Sequence, residues 1–158
     1  MGHKINAFLG YDNTISKLAK DWQRDSIQLS QGMSMLFLTY SLFGNIIELS
    51  DLKDEESAEH FESLTPEIFS LLEMYSQNGK IAYFETDYFG GVGEQAAVLF
   101  ENGVLKFPIQ YTNDFGGRKN DEVGAVNFVL KEFGVSKLNG QDEFESIKLY
   151  KYRHMGEM

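Results

Sequence analysis

Two apolar runs flank Asn102-Gly103, and this pairing gives the strongest pattern in the chain. A type I′ turn needs positive φ at both central residues, which Asn-Gly accepts, so the pair predicts a two-residue β-hairpin. A turn of that length also fixes the register. Phe100 then faces Leu105, Val98 faces Phe107 and Ala96 faces Ile109, an all-apolar face. The other face pairs Glu101 with Val104, Leu99 with Lys106 and Ala97 with Pro108, so it is mixed and partly wet or partly covered. Pro108 has no N–H to give, and regular pairing is expected to end or bulge there. Lys80–Asp87 supplies the strand that precedes the hairpin.

The rest of the pattern alternates between helical and extended periods. Lys4–Gly10 fits a first strand. Asp12-Asn13-Thr14 offers caps for a helix that carries Ile15, Leu18, Ala19 and Trp22 on one stripe. Ser26–Tyr40 reads as extended, interrupted at Gly32, with Met35–Leu38 continuous enough to be buried on both faces. Ser41–Leu49 admits a short helix or a strand, with helix the expectation. Thr65 as N-cap and Pro66 at the first position open a helix whose stripe is Ile68, Leu71, Leu72 and Tyr75, closed by Asn78-Gly79. A last helix is expected over Asp121–Phe133, burying Val123, Val126, Leu130 and Phe133 and stopping at Gly134. Asp142–Arg153 closes the chain. The reading is an α+β fold, an antiparallel meander with a central Asn-Gly hairpin packed by about three helices. No linker or shift of composition divides residues 1–158, so one domain is expected.

Composition narrows the function. At 158 residues the chain can bury roughly 70% of its unfolded surface. A net charge of −10 argues against nucleic acid, whose phosphates need clustered Lys and Arg. It suits a basic protein partner, toward which an acidic surface steers encounter. Without cysteine there is neither a disulfide nor a thiolate metal site. The Met-Gly-His-Lys start lacks an apolar signal region and no run is long enough for a membrane span, so a cytoplasmic protein with no membrane partner is expected. The sequence leaves the oligomeric state open.

Two stretches are candidates for a site. Asp51, Asp54, Glu55, Glu56, Glu59 and Glu62 form the densest charge in the chain, a solvated segment or a docking patch for a basic partner. The second candidate comes from a local likeness between Tyr88-Phe89-Gly90-Gly91 and Asp114-Phe115-Gly116-Gly117, which the hairpin topology brings to one end of the sheet. Asp87, Tyr88, Phe89, Glu94, Gln95, Asp114, Phe115 and Arg118 would rim that end and could hold a ligand or a partner peptide. The glycines also serve simply to permit tight connections. Gly90–Gly93 leads into a strand and not a helix, which weakens a phosphate loop. His3, His60 and His154 stand in no metal-binding or catalytic frame, and no nucleophile motif occurs. Neither a catalytic residue nor a metal or cofactor is expected.

Asp87-Tyr-Phe-Gly-Gly-Val-Gly-Glu-Gln95-Ala-Ala-Val98, Leu130-Lys-Glu-Phe-Gly134 and Asp142-Glu143-Phe144 with Tyr152-Arg153 together resemble a family of small bacterial proteins. Its members carry a Tyr-Phe-Gly-Gly-x-Gly-x-Gln-x-Ala segment and a terminal Asp-Glu-Phe…Leu…Arg segment. The match spans roughly the second half of the chain and, more loosely, the Lys4–Ala7 start. The family has no assigned reaction, and by analogy its members resemble the immunity proteins of polymorphic toxin systems. The resemblance implies that Phe89–Gln95 and Asp142–Phe144 define the fold. The expectation is a non-catalytic inhibitor that occludes a toxin through an acidic surface. The alternative is a small-molecule-binding or hydrolytic domain with its site at the glycine-loop end.

Overall fold

β1 (Gly2–Tyr11) and β4 (Lys80–Phe89) lie side by side in the middle of an antiparallel sheet, and both are buried on two faces over most of their length. The structure is a computed structural model and describes residues 2–50, 56–90, 92–114 and 123–155. In chain order the elements are β1, α1 (Asp12–Asp21), β2 (Ile27–Gln28), β3 (Met33–Phe37), α2 (Tyr40–Leu49), α3 (Pro66–Tyr75), β4, β5 (Val92–Glu101), β6 (Val104–Leu105), β7 (Gln110–Asn113), α4 (Ala125–Glu132) and α5 (Glu143–Ser146). A 3₁₀ turn at Leu149–Lys151 follows. The described strands run β2-β3-β1-β4-β5-β6, with β7 pairing the same edge of β5 farther along. The fold is therefore mixed α+β, an open antiparallel sheet with helices on both faces.

Alternation along each strand builds two cores. Phe8, Tyr83, Val98 and Phe100 face Ile15 and Leu18 of α1, Leu42 of α2, and Ile68 and Leu72 of α3. Ile5, Ala7, Phe84, Ala97 and Leu99 face Val126, Val129 and Leu130 of α4, with Ile147 and Leu149 behind them. The face of the hairpin expected to be mixed is thus covered by the C-terminal helices. With both faces dry, β1, β4 and β5 need near-continuous apolar sequence, and they have it.

The Asn102-Gly103 turn is present, with positive φ at both residues and Phe100 opposite Leu105. The ladder does not continue in that register. After the Lys106 N–H bonds the Leu99 carbonyl, the chain leaves β5 around Pro108 and rejoins two residues late. Ala96 therefore faces Tyr111 and not Ile109, and Phe107 crosses to the opposite core, where its ring meets Phe128 edge-on at 5.0 Å. A slip of two keeps each side chain of β7 on its face, so the excursion preserves the core.

Other boundaries differ for local reasons. The N-cap of α1 is Tyr11, and Asp12 instead accepts a hydrogen bond from the Ser34 hydroxyl. Thr65 holds the N-cap position of α3, yet its hydroxyl makes no capping bond. α3 ends at Tyr75, and the Ser76 carbonyl and hydroxyl both accept from Gly103 N–H, so Asn78-Gly79 forms a turn and not a left-handed cap. Ser41–Leu49 is helical within α2. α4 starts at Ala125, and Val123, expected in the core, is exposed. α5 has a capping box in which Asp142 accepts from Glu145 N–H and the Glu145 carboxylate accepts from Asp142 N–H.

Candidate functional site: two clefts at one end of the sheet

The register decides which polar residues become neighbours. Across the face that packs on α1–α3, Phe8 pairs with Tyr83, Asn6 with Glu85, and Lys4 with Asp87. The same rows continue onto β5 as Val98, Ala96 and Glu94, and onto β7 as Tyr111 beside Ala96. This face passes from apolar to charged within two residues per strand. Across the opposite face the sequence of rows is Ala7 with Phe84 and Ala97, Ile5 with Thr86 and Gln95, and finally His3 with Tyr88 and Gly93. Both faces turn polar at the same end, where β4 turns into β5 through Gly90 in the left-handed region.

The first cleft, about 300 Å³, lies on the α1–α3 side and is bounded by Lys4, Asp87 and Glu94 of the sheet and by His60 and Glu62 of the loop before α3. Lys4 Nζ lies 3.2 Å from Glu62 and 3.5 Å from Asp87. Burial works against the charged Lys4, but the two carboxylates prevail and hold its pKa above the ordinary value. Asp87 and Glu94 are directly opposite across the ribbon, a like-charge pairing that disfavours the free fold. Glu94 accepts from the Tyr111 hydroxyl at 3.0 Å, and the His60 ring stacks on Tyr111 with centroids 3.7 Å apart.

The floor of this cleft is Glu85, which is buried. Its carboxylate accepts from Glu62 N–H at 2.6 Å, Ser63 N–H at 2.9 Å and the Tyr83 hydroxyl at 2.6 Å. Burial pushes its pKa up while these three donors pull it down, with burial the larger effect. Its role is to pin the 61–64 loop to the sheet, which is what carries Glu62 to Lys4.

The second cleft, about 310 Å³, lies back to back with the first, on the α4–α5 side. Tyr88 donates to Asp114 at 2.6 Å and accepts from the Gln95 amide at 2.9 Å. The Gln95 carbonyl oxygen accepts from Val126 N–H at the start of α4, and Thr112 accepts from Ala125 N–H. Asn127 donates to Asp142 at 3.1 Å and accepts from Phe144 N–H at 2.8 Å. His3 Nδ1 lies 2.8 Å from the Thr86 hydroxyl, and burial lowers the imidazole pKa, with the Leu149 carbonyl opposing and Arg153 adding to the shift.

The expected loop-end rim is therefore split by the sheet. Asp87 and Glu94 serve the first cleft, Tyr88 and Asp114 serve the second, and Gln95 lines both while its amide bonds on the second side. Phe89 stands at the tip, 78% exposed. Phe115 and Arg118 lie outside the described residues, as do Asp51, Asp54 and Glu55 of the acidic segment. Glu56 and Glu59 border a separate open groove beside α3, and among the described residues of that segment only Glu62 reaches the first cleft. Sequence reasoning missed His3, Lys4, Glu85, Asn127 and Asp142 as members of the site. Asp142 had a signal in its Asp-x-x-Glu spacing, while His3, Lys4 and Glu85 depend on strand register and Asn127 on how α4 packs against α5. Among the described residues no group of three His, Asp or Glu side chains is arranged to hold a metal, and no helix is long and apolar enough to cross a membrane. The chain matches no protein-family model, no curated protein and no solved structure.

Proposed function

We propose that this is a non-catalytic binding protein, an immunity-type inhibitor that acts in the cytoplasm by occluding a basic toxin domain with its acidic end. The observation that carries this reading is the first cleft. There Glu62, from the acidic segment, and Asp87, from the glycine-loop end, share Lys4, and Glu94 lines the same cleft opposite Asp87. Two stretches far apart in the sequence thus form one acidic concavity, open to a Lys or Arg of a partner. Such a surface gains mainly in on-rate, through steering. The exposed Phe89 ring beside it has the character of an interface anchor. The Glu85 carboxylate, held by three donors, is committed to structure, which favours binding over chemistry.

The test is association kinetics against a basic protein that co-purifies from the source cell, at low and high salt. The triple variant Glu62→Gln, Asp87→Asn, Glu94→Gln should associate about tenfold more slowly at low salt and lose most of the salt dependence. Neutralising Glu56 and Glu59 together should have the smaller effect, because they border a different groove. A wild-type on-rate indifferent to salt, with the triple variant equally fast, rules the reading out.

A further inference from the structure

We propose that the second cleft, on the α4–α5 face, is a binding site for a small organic cation, a quaternary ammonium or guanidinium group. The inference is independent of the partner reading, since it concerns the other side of the sheet. Three rings and two carboxylates carry it. His3, Tyr88 and Phe144 line the cleft, and the His3 and Phe144 rings pack on each other, tilted at 59° with centroids 5.3 Å apart, which makes one aromatic wall. Asp114 and Asp142 line it from opposite elements, β7's end and the cap of α5. Aromatic faces combined with carboxylates select a soft, weakly hydrated cation over an anion or a sugar. An inorganic metal is disfavoured, because the described residues hold no cluster with ligand geometry.

The side chains are set in place by a second layer of bonds. Asn127 fixes Asp142, and its carbonyl oxygen ties down Phe144 N–H. Gln95, anchored by Val126 N–H, orients Tyr88, which in turn holds Asp114. Among the described residues no Lys or Arg lines the cleft. Arg153, close enough to lower the His3 pKa, stands outside it, and burial keeps His3 neutral over more of the pH range. A volume of about 310 Å³ lies at the low end of ligand pockets, which suits a compact cation. The same chemistry could arrive on a free molecule or on an Arg side chain of a partner.

The experiment is a titration of the full chain followed by the side-chain amide NMR signals of Gln95 and Asn127. The probes are tetramethylammonium chloride, methylguanidinium chloride and an acetylated, amidated Ala-Arg-Ala peptide, with sodium chloride at equal ionic strength as reference. Saturable shifts from an organic cation beyond those from sodium are expected. Saturation by the small cations points to a free ligand, and saturation by the peptide alone points to a partner's arginine. Phe144→Leu should weaken binding at least about tenfold, equivalent to about 1.4 kcal/mol. Asp142→Asn keeps the cap oxygen for Glu145 N–H but turns its amide nitrogen toward the Asn127 amide, so its binding, read from Gln95 alone, should fall by the same factor. Asp87→Asn, in the opposite cleft, should leave binding unchanged. Shifts no larger than those from sodium overturn the proposal, as does binding unaffected by both Phe144→Leu and Asp142→Asn, or binding lost in Asp87→Asn.

Discussion

The two ends of this sheet are built from the same strands and the same ladders, yet they differ in almost everything else. At the Asn102-Gly103 end, Ile81 faces Phe100, Phe100 faces Leu105, and the turn is clamped by Ser76 at the end of α3. At the Gly90 end, the rows carry Lys4, Asp87 and Glu94 on one face and His3, Tyr88 and Gln95 on the other. Apolar burial scales with area, so the first end supplies cohesion to strands that run the whole length. The second end is then free to carry a like-charge pair and two polar concavities that would not stand alone. Stability and binding capacity are segregated along one set of strands.

That segregation can be broken or sharpened by substitution. The largest effect is expected at Glu85, which joins the ends by tying the 61–64 loop over the sheet. Glu85→Ala leaves two N–H groups and the Tyr83 hydroxyl without their acceptor and should cost about 3 kcal/mol in denaturant unfolding. It should also release Glu62 from Lys4. Gly93→Ala comes next. A Cβ there would stand 2.1 Å from the Asp87 carbonyl oxygen and 2.6 Å from Tyr88 Cα, both backbone atoms. A loss of about 2 kcal/mol is expected, with chemical-shift changes confined to the polar end.

Gly103→Val attacks the cohesive end. A β-branched residue resists φ +84°, and its Cβ would first meet the Gln77 side chain, which can move. The expected cost is about 1 kcal/mol or more, read as a lower Tm; an unchanged Tm would contradict the turn's role. A smaller effect is expected from pH. Burial holds the His3 imidazole below its ordinary value of 6.5, so the unfolded chain takes up that proton first. The contribution is fully present above about pH 6.5 and is lost as pH falls through the folded-state value. His3→Gln should flatten the stability profile over that window. The smallest effect, of opposite sign, is expected from Glu94→Gln. Removing the charge opposite Asp87 should raise Tm slightly, while weakening any basic partner.

Much of the architecture was legible because it is local. The Asn-Gly turn, the Thr65-Pro66 start of α3, the break at Gly32 and the stop at Gly134 each follow from φ preferences of one or two residues. The helical stripes of α1 and α3 follow from a 3.6-residue period. The two-residue excursion at Pro108 was foreshadowed by the missing N–H, but its length was not, because nothing local dictates where a chain rejoins its ladder. Phe107 shows the consequence, crossing to the core expected on the other face.

For the candidate site, the sequence by itself determined which polar residues the glycine loop would gather at one end: Asp87, Tyr88, Glu94 and Gln95 are tied by a turn of a few residues. It also determined that the acidic segment would be charged. Only the tertiary structure decided that Lys4 meets Asp87 and Glu62, that His3 lies beside Thr86, and that Asp142 reaches Asn127. Those pairings join residues 15 to 83 positions apart. The Lys4–Asp87 and His3–Thr86 contacts rest on the β1–β4 register, which no short-range turn sets and which is fixed by burying Ile5, Ala7 and Leu9 on one face and Phe8 on the other.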